Sequence, residues 1–98
     1  MGNVRSGRSI HSALLKKGFQ RDSDGDHLHY YLLHETGERT PIKTKMSHGM
    51  MGHTVSAKLI SEMAHQLHLT KKQLLELIDC PLNESDYRAI LREQGRAV

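Results

Sequence analysis

Ninety-eight residues, 37% of them apolar and with no Trp and one Phe, suffice for one domain and leave no room for a second core. Leu, Ile and Met must fill that core, so a deep closed substrate cavity is not expected and any chemistry belongs on a surface. Fourteen Lys and Arg against eleven Asp and Glu give a formal charge of +3, a mild excess whose distribution matters more than its size.

The first periodic segment is Gly7 to Lys17, where Ile10, Ala13, Leu14 and Lys17 follow helical spacing and Leu15 broadens the apolar face. Ser6 is its predicted N-cap, Gly18 its left-handed C-cap, and Phe19 folds back onto the last turn. After Gln20-Arg21, the stretch Asp22-Ser23-Asp24-Gly25-Asp26 reads as a tight connection between two strands, with Gly25 free to take positive φ. The run His27 to Leu33 has strand composition. Its alternation puts His27, His29, Tyr31 and Leu33 on one face and the more apolar Leu28, Tyr30 and Leu32 on the other, which is expected to meet the helices.

Glu35-Thr36-Gly37 is a turn, and Arg39 to Met46 returns as an antiparallel strand with Thr40, Ile42, Thr44 and Met46 on one side. Arg39, Pro41, Lys43 and Lys45 occupy the other, and Pro41, which cannot donate a ladder bond, predicts a free edge. Ser47 to His53 has two glycines and no periodicity, and reads as a loop. A second helix is predicted from about Ser56 to Leu67, with Leu59, Ile60, Met63 and Leu67 on one face. A third opens at a Thr70/Gln73 capping box, with Leu69 stapled against Leu74, and ends at Cys80-Pro81. A fourth begins after Asn83, buries Tyr87, Ile90 and Leu91, and stops at Gly95.

Cys80 is the only cysteine, which excludes an intramolecular disulfide, a zinc knuckle and a CxxC redox pair; it reads as a small buried apolar residue. No apolar targeting region or spanning segment is apparent, so a cytoplasmic protein without membrane association is expected.

Eight histidines are the compositional outlier. His27 and His29 share a strand face and His65 and His68 a helix, but no fixed spacing adds a third ligand from His48 or His53, so no metal and no cofactor are expected. The Asp22, Asp24, Asp26 series imitates a calcium loop and fails, because its sixth position is His27 and its twelfth Leu33. Acid–base chemistry remains. From Arg39 to Ser61 there is no acid, while Arg39, Lys43, Lys45 and Lys58 lie there with His48 and His53, a setting that suits a phosphate backbone. RNA carries its own nucleophile, the 2′-hydroxyl, so an imidazole that moves a proton and a nearby cation that stabilises phosphorane charge suffice to cleave it. His11, His65 and His68 read as exposed helix positions and His34 as a turn residue.

Residues 6–67 resemble the HicA (YcfA-like) mRNA interferase toxins. The resemblance rests on Leu14-Leu15-Lys16-Lys17-Gly18-Phe19 at the end of the first helix, Gly25-Asp26-His27 opening a strand, and Ser47-His48 after the next strand, followed by a second helix. It implies an α+β, double-stranded-RNA-binding-domain-like α-β-β-β-α fold. It also implies a toxin of a toxin–antitoxin system, a metal-independent endoribonuclease cleaving mRNA, with His27 as the catalytic acid–base residue. Lys43, Lys45, Arg39 and His48 would bind RNA, and a HicB-like antitoxin would cover the histidine face. The chain departs from the pattern at Asp26, where members carry Ser or Thr, and at the next histidine, displaced to His29. Residues 1–98 are thus expected to form one domain, a 6–67 core with a helical extension over 70–98. The rival expectations are a non-catalytic RNA-binding module on the same platform and a protein–protein adaptor using the extension.

Overall fold

The computed structural model describes residues 4–79 and 81–98; Cys80, expected to be buried, lies outside the described residues. The protein is α+β, with the order α-β-β-β-α followed by two further helices. A short strand β1 (Arg5–Ser6) leads into helix α1 (Gly7–Lys16), then strands β2 (Phe19–Asp24), β3 (His27–Leu33) and β4 (Arg39–Ser47) form an antiparallel sheet in the order β2-β3-β4. A 3-10 turn (His48–Gly52) and β5 (Thr54–Val55) precede α2 (Ala57–Gln66), α3 (Lys71–Asp79) and α4 (Glu84–Glu93).

The sheet follows from alternation. Leu28, Tyr30 and Leu32 of β3 and Ile42, Thr44 and Met46 of β4 are all buried, and they meet Ile10 and Leu14 of α1, Ile60 and Met63 of α2, and Leu74 and Leu77 of α3 in one core. The hairpin joining β2 to β3 is tighter than expected. Asp22, Ser23 and Asp24 belong to β2, and only Gly25-Asp26 turn, with Gly25 at φ +59° and Asp24 paired to His27. A positive φ confined to the first central residue is the type II′ pattern, which matches strand twist. β4 is an edge strand, as Pro41 requires, and its register against β3 slips between Tyr31 and Leu33. There the Thr40 hydroxyl takes over ladder bonding, donating to the Leu32 carbonyl (2.8 Å) and accepting from the Ile42 N–H (3.1 Å).

The segment expected to be a plain loop does more. Its 3-10 turn packs on the start of α1 so closely that a Cβ on Gly7 would collide with the Met50 carbonyl, and the Gly7 N–H donates to the His53 carbonyl at 2.9 Å. The two-residue ladder β1–β5 (Arg5 opposite Val55, Ser6 opposite Thr54) then holds two helix N-termini side by side. Each is capped by a serine: Ser6 Oγ accepts from Ser9 N–H and Ser56 Oγ from Leu59 N–H.

Helices α3 and α4 are part of the core. The Thr70/Gln73 box forms as expected, Asn83 and Asp86 form a second one, and Leu74, Leu77, Tyr87 and Leu91 are each fully buried. Tyr87 stacks on Phe19 (5.9 Å between centroids) and donates to the Leu67 carbonyl. Two buried cations also fasten this extension. Lys17 Nζ donates to the Leu82 carbonyl at 2.7 Å, and buried Arg88 donates to Glu84 and to the Leu33 carbonyl at the end of β3. Ile90, expected to be buried, is only half-buried, and Arg88 takes the inner position.

Helices α2 and α4 end in the same Schellman geometry. Leu69 N–H bonds Ala64 O and His68 N–H bonds His65 O; Arg96 N–H bonds Leu91 O and Gly95 N–H bonds Arg92 O. The left-handed position is Gly95 in one (φ +84°) and His68 in the other (φ +63°).

A chain ending at residue 69 exposes the inner faces of α1 and α2, and is expected to lose cooperative unfolding in a denaturant titration monitored by circular dichroism. His68→Gly, which removes the Cβ penalty of a left-handed residue at some cost in chain entropy, is expected to stabilise the protein by about 1 kcal/mol in the same titration.

Candidate nucleic-acid interface

Burying Leu28, Tyr30 and Leu32 turns His27, His29 and Tyr31 to the opposite face of the sheet, which has no buried position among the described residues. Cross-strand pairing then fixes who stands beside whom. His27 faces Ser47, His29 faces Lys45 and Tyr31 faces Lys43 on β4, while on β2 Asp22 faces His29 and Gln20 faces Tyr31. The rings form a column: His27 to His29 is 6.3 Å between centroids, and His29 to Tyr31 is 6.4 Å with nearly parallel planes.

Two adjoining clefts run along the β4 edge beside this column. One, of about 240 Å³, is lined by His29, Lys43, Thr44, Lys45 and Gln66. The other, of similar volume, brings His27, Lys45, Ser47 and Met50 opposite Glu62 and Gln66 of α2. Lys45 and Gln66 border both, so the two make one shallow groove, and Thr44 Oγ1 donating to Gln66 Oε1 at 2.6 Å fixes its floor. Lys43 and Lys45 are exposed, and among the described residues neither makes an ion pair; Lys43 Nζ lies 5.6 Å from the Tyr31 ring centroid. Unpaired ammonium groups beside a groove form a local positive field that favours a polyanion.

Arg39 and His48 are placed differently. The Arg39 guanidinium lies over Tyr31 (4.1 Å), donates to Gln20 Oε1 and pairs with Asp22 at 3.2 Å, so it is engaged in a clasp across the sheet face. His48 donates its backbone N–H to the Asp26 carbonyl, closing the hairpin end. Its imidazole lies 3.5 Å from the Ser23 hydroxyl, whose position shares Leu28's face, away from the His27 imidazole. The structure therefore places His27, Lys45 and Lys43 in turn along one groove, holds Arg39 on the same face in its clasp over Tyr31, and leaves His48 turned away. It adds His29 and Gln66. The signal for His29 was its shared face with His27; nothing in the sequence marked Gln66, which reaches the groove only through helix packing.

The remaining histidines divide by surroundings. His65 is exposed, as expected, and His34 sits in the turn, its N–H donating to the Glu38 carbonyl. His11 and His68, expected to be exposed, are half-buried. His11 Nδ1 lies 2.7 Å from the Tyr30 hydroxyl. Burial pushes the Tyr30 phenol up to about 12, so a neutral hydroxyl meets the imidazole. Desolvation, and then the Arg21 charge, hold His11 below the ordinary imidazole value; desolvation, with Arg96 and His65, does the same to His68. No group of three or more His, Cys, Asp or Glu among the described residues could hold a metal ion, and no helix among them is long and apolar enough to cross a membrane.

Compared with protein-family models, with curated proteins and with solved structures, the chain matches none.

The two half-buried histidines set a pH dependence. Their folded values lie below the unfolded one near pH 6.5, so in acid the unfolded chain binds protons that the native state refuses. Stability present above about pH 6.5 is expected to be lost as pH falls below it. Denaturant midpoints from pH 8 to 5 measure this, and His11→Asn, which keeps a hydrogen-bonding side chain near Tyr30, is expected to flatten the decline.

Proposed function

We propose that this protein is a metal-independent endoribonuclease that cleaves mRNA and acts as a HicA-like toxin, with His27 as an acid–base residue. One observation carries the reading: an exposed His27 heads a column of rings on an uncovered sheet face, beside a groove lined by two lysines that form no ion pair among the described residues. RNA supplies the nucleophile, so the protein needs a proton acceptor or donor at the 2′- or 5′-oxygen and a cation at the phosphate. An imidazole with free access to solvent can provide the first and Lys45, two residue pairs along the sheet, the second. Lys43 extends the positive edge towards Tyr31 and would hold a neighbouring phosphate.

The groove is shallow and open, which suits a strand of RNA laid across an edge better than a small molecule enclosed in a pocket. Such a site can be inhibited by covering it. A HicB-like antitoxin seated on the ring column would block His27 and both lysines at once, and the protein would act in the cytoplasm, where its mRNA substrate is found.

Induction of the wild-type chain is expected to arrest growth and fragment mRNA, with EDTA leaving cleavage by the purified protein unchanged. His27→Ala is expected to lower the cleavage rate by about 10²- to 10⁴-fold, the usual worth of a positioned acid–base group, while binding RNA with similar salt dependence. Cleavage that survives the substitution removes His27 from the chemistry, and RNA binding without any cleavage by the wild type leaves a non-catalytic binding module.

A further inference from the structure

The ribonuclease reading leaves one half of the proton traffic unassigned. Attack of the 2′-oxygen on phosphorus requires a base, and departure of the 5′-oxygen requires an acid; one imidazole can serve both in turn only by moving. We infer that His29 is the second catalytic group, so that His27 and His29 work as a base–acid pair on a single phosphate held by Lys45. This inference rests on the ribonuclease reading of the same groove.

Three features of the fold support it. The two imidazoles are successive outward positions of one strand, 6.3 Å apart between centroids, with Leu28 buried between them to fix both backbones. Two hydrogen bonds of about 2.6–3.2 Å span a comparable distance, so each ring can reach a different oxygen of one phosphate. Lys45 is the cross-strand partner of His29 and the diagonal neighbour of His27, and it borders both clefts. A phosphate on Lys45 is therefore flanked by both rings. His29 is half-buried yet lines the groove, which orients it without closing it to substrate.

The other charged groups around His29 are committed or differently placed. On β2, Asp22 faces it but is paired with Arg39. On its own strand Tyr31 is covered by the Arg39 guanidinium. From α2, Glu62 borders the cleft that holds His27 and does not border the one that holds His29. Glu62 is thus the competing candidate for the second role, and it is tested beside His29.

The step balances without any further reactant. The neutral imidazole takes the proton of the 2′-hydroxyl as the 2′-oxygen–phosphorus bond forms. The protonated imidazole gives its proton to the 5′-oxygen as the phosphorus–5′-oxygen bond breaks. The products are a 2′,3′-cyclic phosphate and a 5′-hydroxyl, and the two rings have exchanged protonation states, which exchange with water restores.

The experiment uses the full-length wild type and the His27→Ala, His29→Ala, His29→Gln and Glu62→Gln variants, each checked for unchanged circular dichroism. The probes are a random-sequence RNA pool and the same pool made with bridging 5′-sulfur, a leaving group that needs no protonation. His29→Ala is expected to reduce kcat/KM on ordinary RNA by about 10²- to 10⁴-fold with little change in KM, and to remove one limb of a bell-shaped pH–rate profile. On the sulfur substrate one histidine variant is expected to regain activity, which marks the acid, while the other stays impaired, which marks the base. If His29→Ala and His29→Gln keep both limbs and lie within about threefold of the wild type while His27→Ala is inactive, the inference fails and the ribonuclease reading stands. It fails in the same way if Glu62→Gln removes the limb instead, or if the sulfur substrate rescues both histidine variants or neither. If the wild type leaves both pools intact, the ribonuclease reading fails and this inference with it.

Discussion

The rest of the molecule depends on the burial of three alternate side chains, Leu28, Tyr30 and Leu32, on one face of the central strand. A strand side chain has only two directions available, so sinking those three into the helical layer forces His27, His29 and Tyr31 outward. A register slip of one residue would bury the imidazoles and expose the core. The site's geometry is therefore tied to the free energy that holds the domain together, and neither can move without the other.

That coupling explains how a small domain with a single Phe can position these side chains. The edge strand β4 follows the same alternation and brings Lys43 and Lys45 into line with the rings. Where Pro41 withholds its N–H, the Thr40 hydroxyl restores the bonding and the register change is confined to the end of the sheet far from His27. The clasp of Arg39 over Tyr31 lies on the same face and engages that cation with Tyr31, Gln20 and Asp22.

Helix α3 reaches back to β1, where Asp79 pairs with Arg5 at 2.6 Å, while α4 and Leu82 act at the opposite end. Tyr87 against Phe19, Arg88 to the Leu33 carbonyl and Lys17 to the Leu82 carbonyl all gather where α1 ends, β2 begins and β3 finishes. The hairpin end, with His27, is left uncovered by the extension. The helices complete the hydrophobic layer that the first 69 residues begin, and they do so without crowding the groove.

Much of this is written in local pattern. The alternation of His27 to Leu33 and Arg39 to Met46, the serine and Thr70/Gln73 caps and the glycines at 18, 25 and 95 fix the elements, because each depends on chain neighbours a few residues apart. Other features depend on distant partners and have no local signature. The two-residue ladder β1–β5 has no period to detect, Gly7 is needed because Met50 lies against it, and Arg88 adds to its local pair with Glu84 a bond to the distant Leu33 carbonyl. The candidate site divides along the same line. The sequence by itself determined that His27 and His29 share a face and that lysines alternate on the following strand, since strand geometry has a period of two. Tertiary structure alone decided that Lys45 stands opposite His29, that α2 closes a groove beside them, that Arg39 is clasped over Tyr31 and that His48 turns elsewhere, because register and helix docking are set by the packing of the whole core.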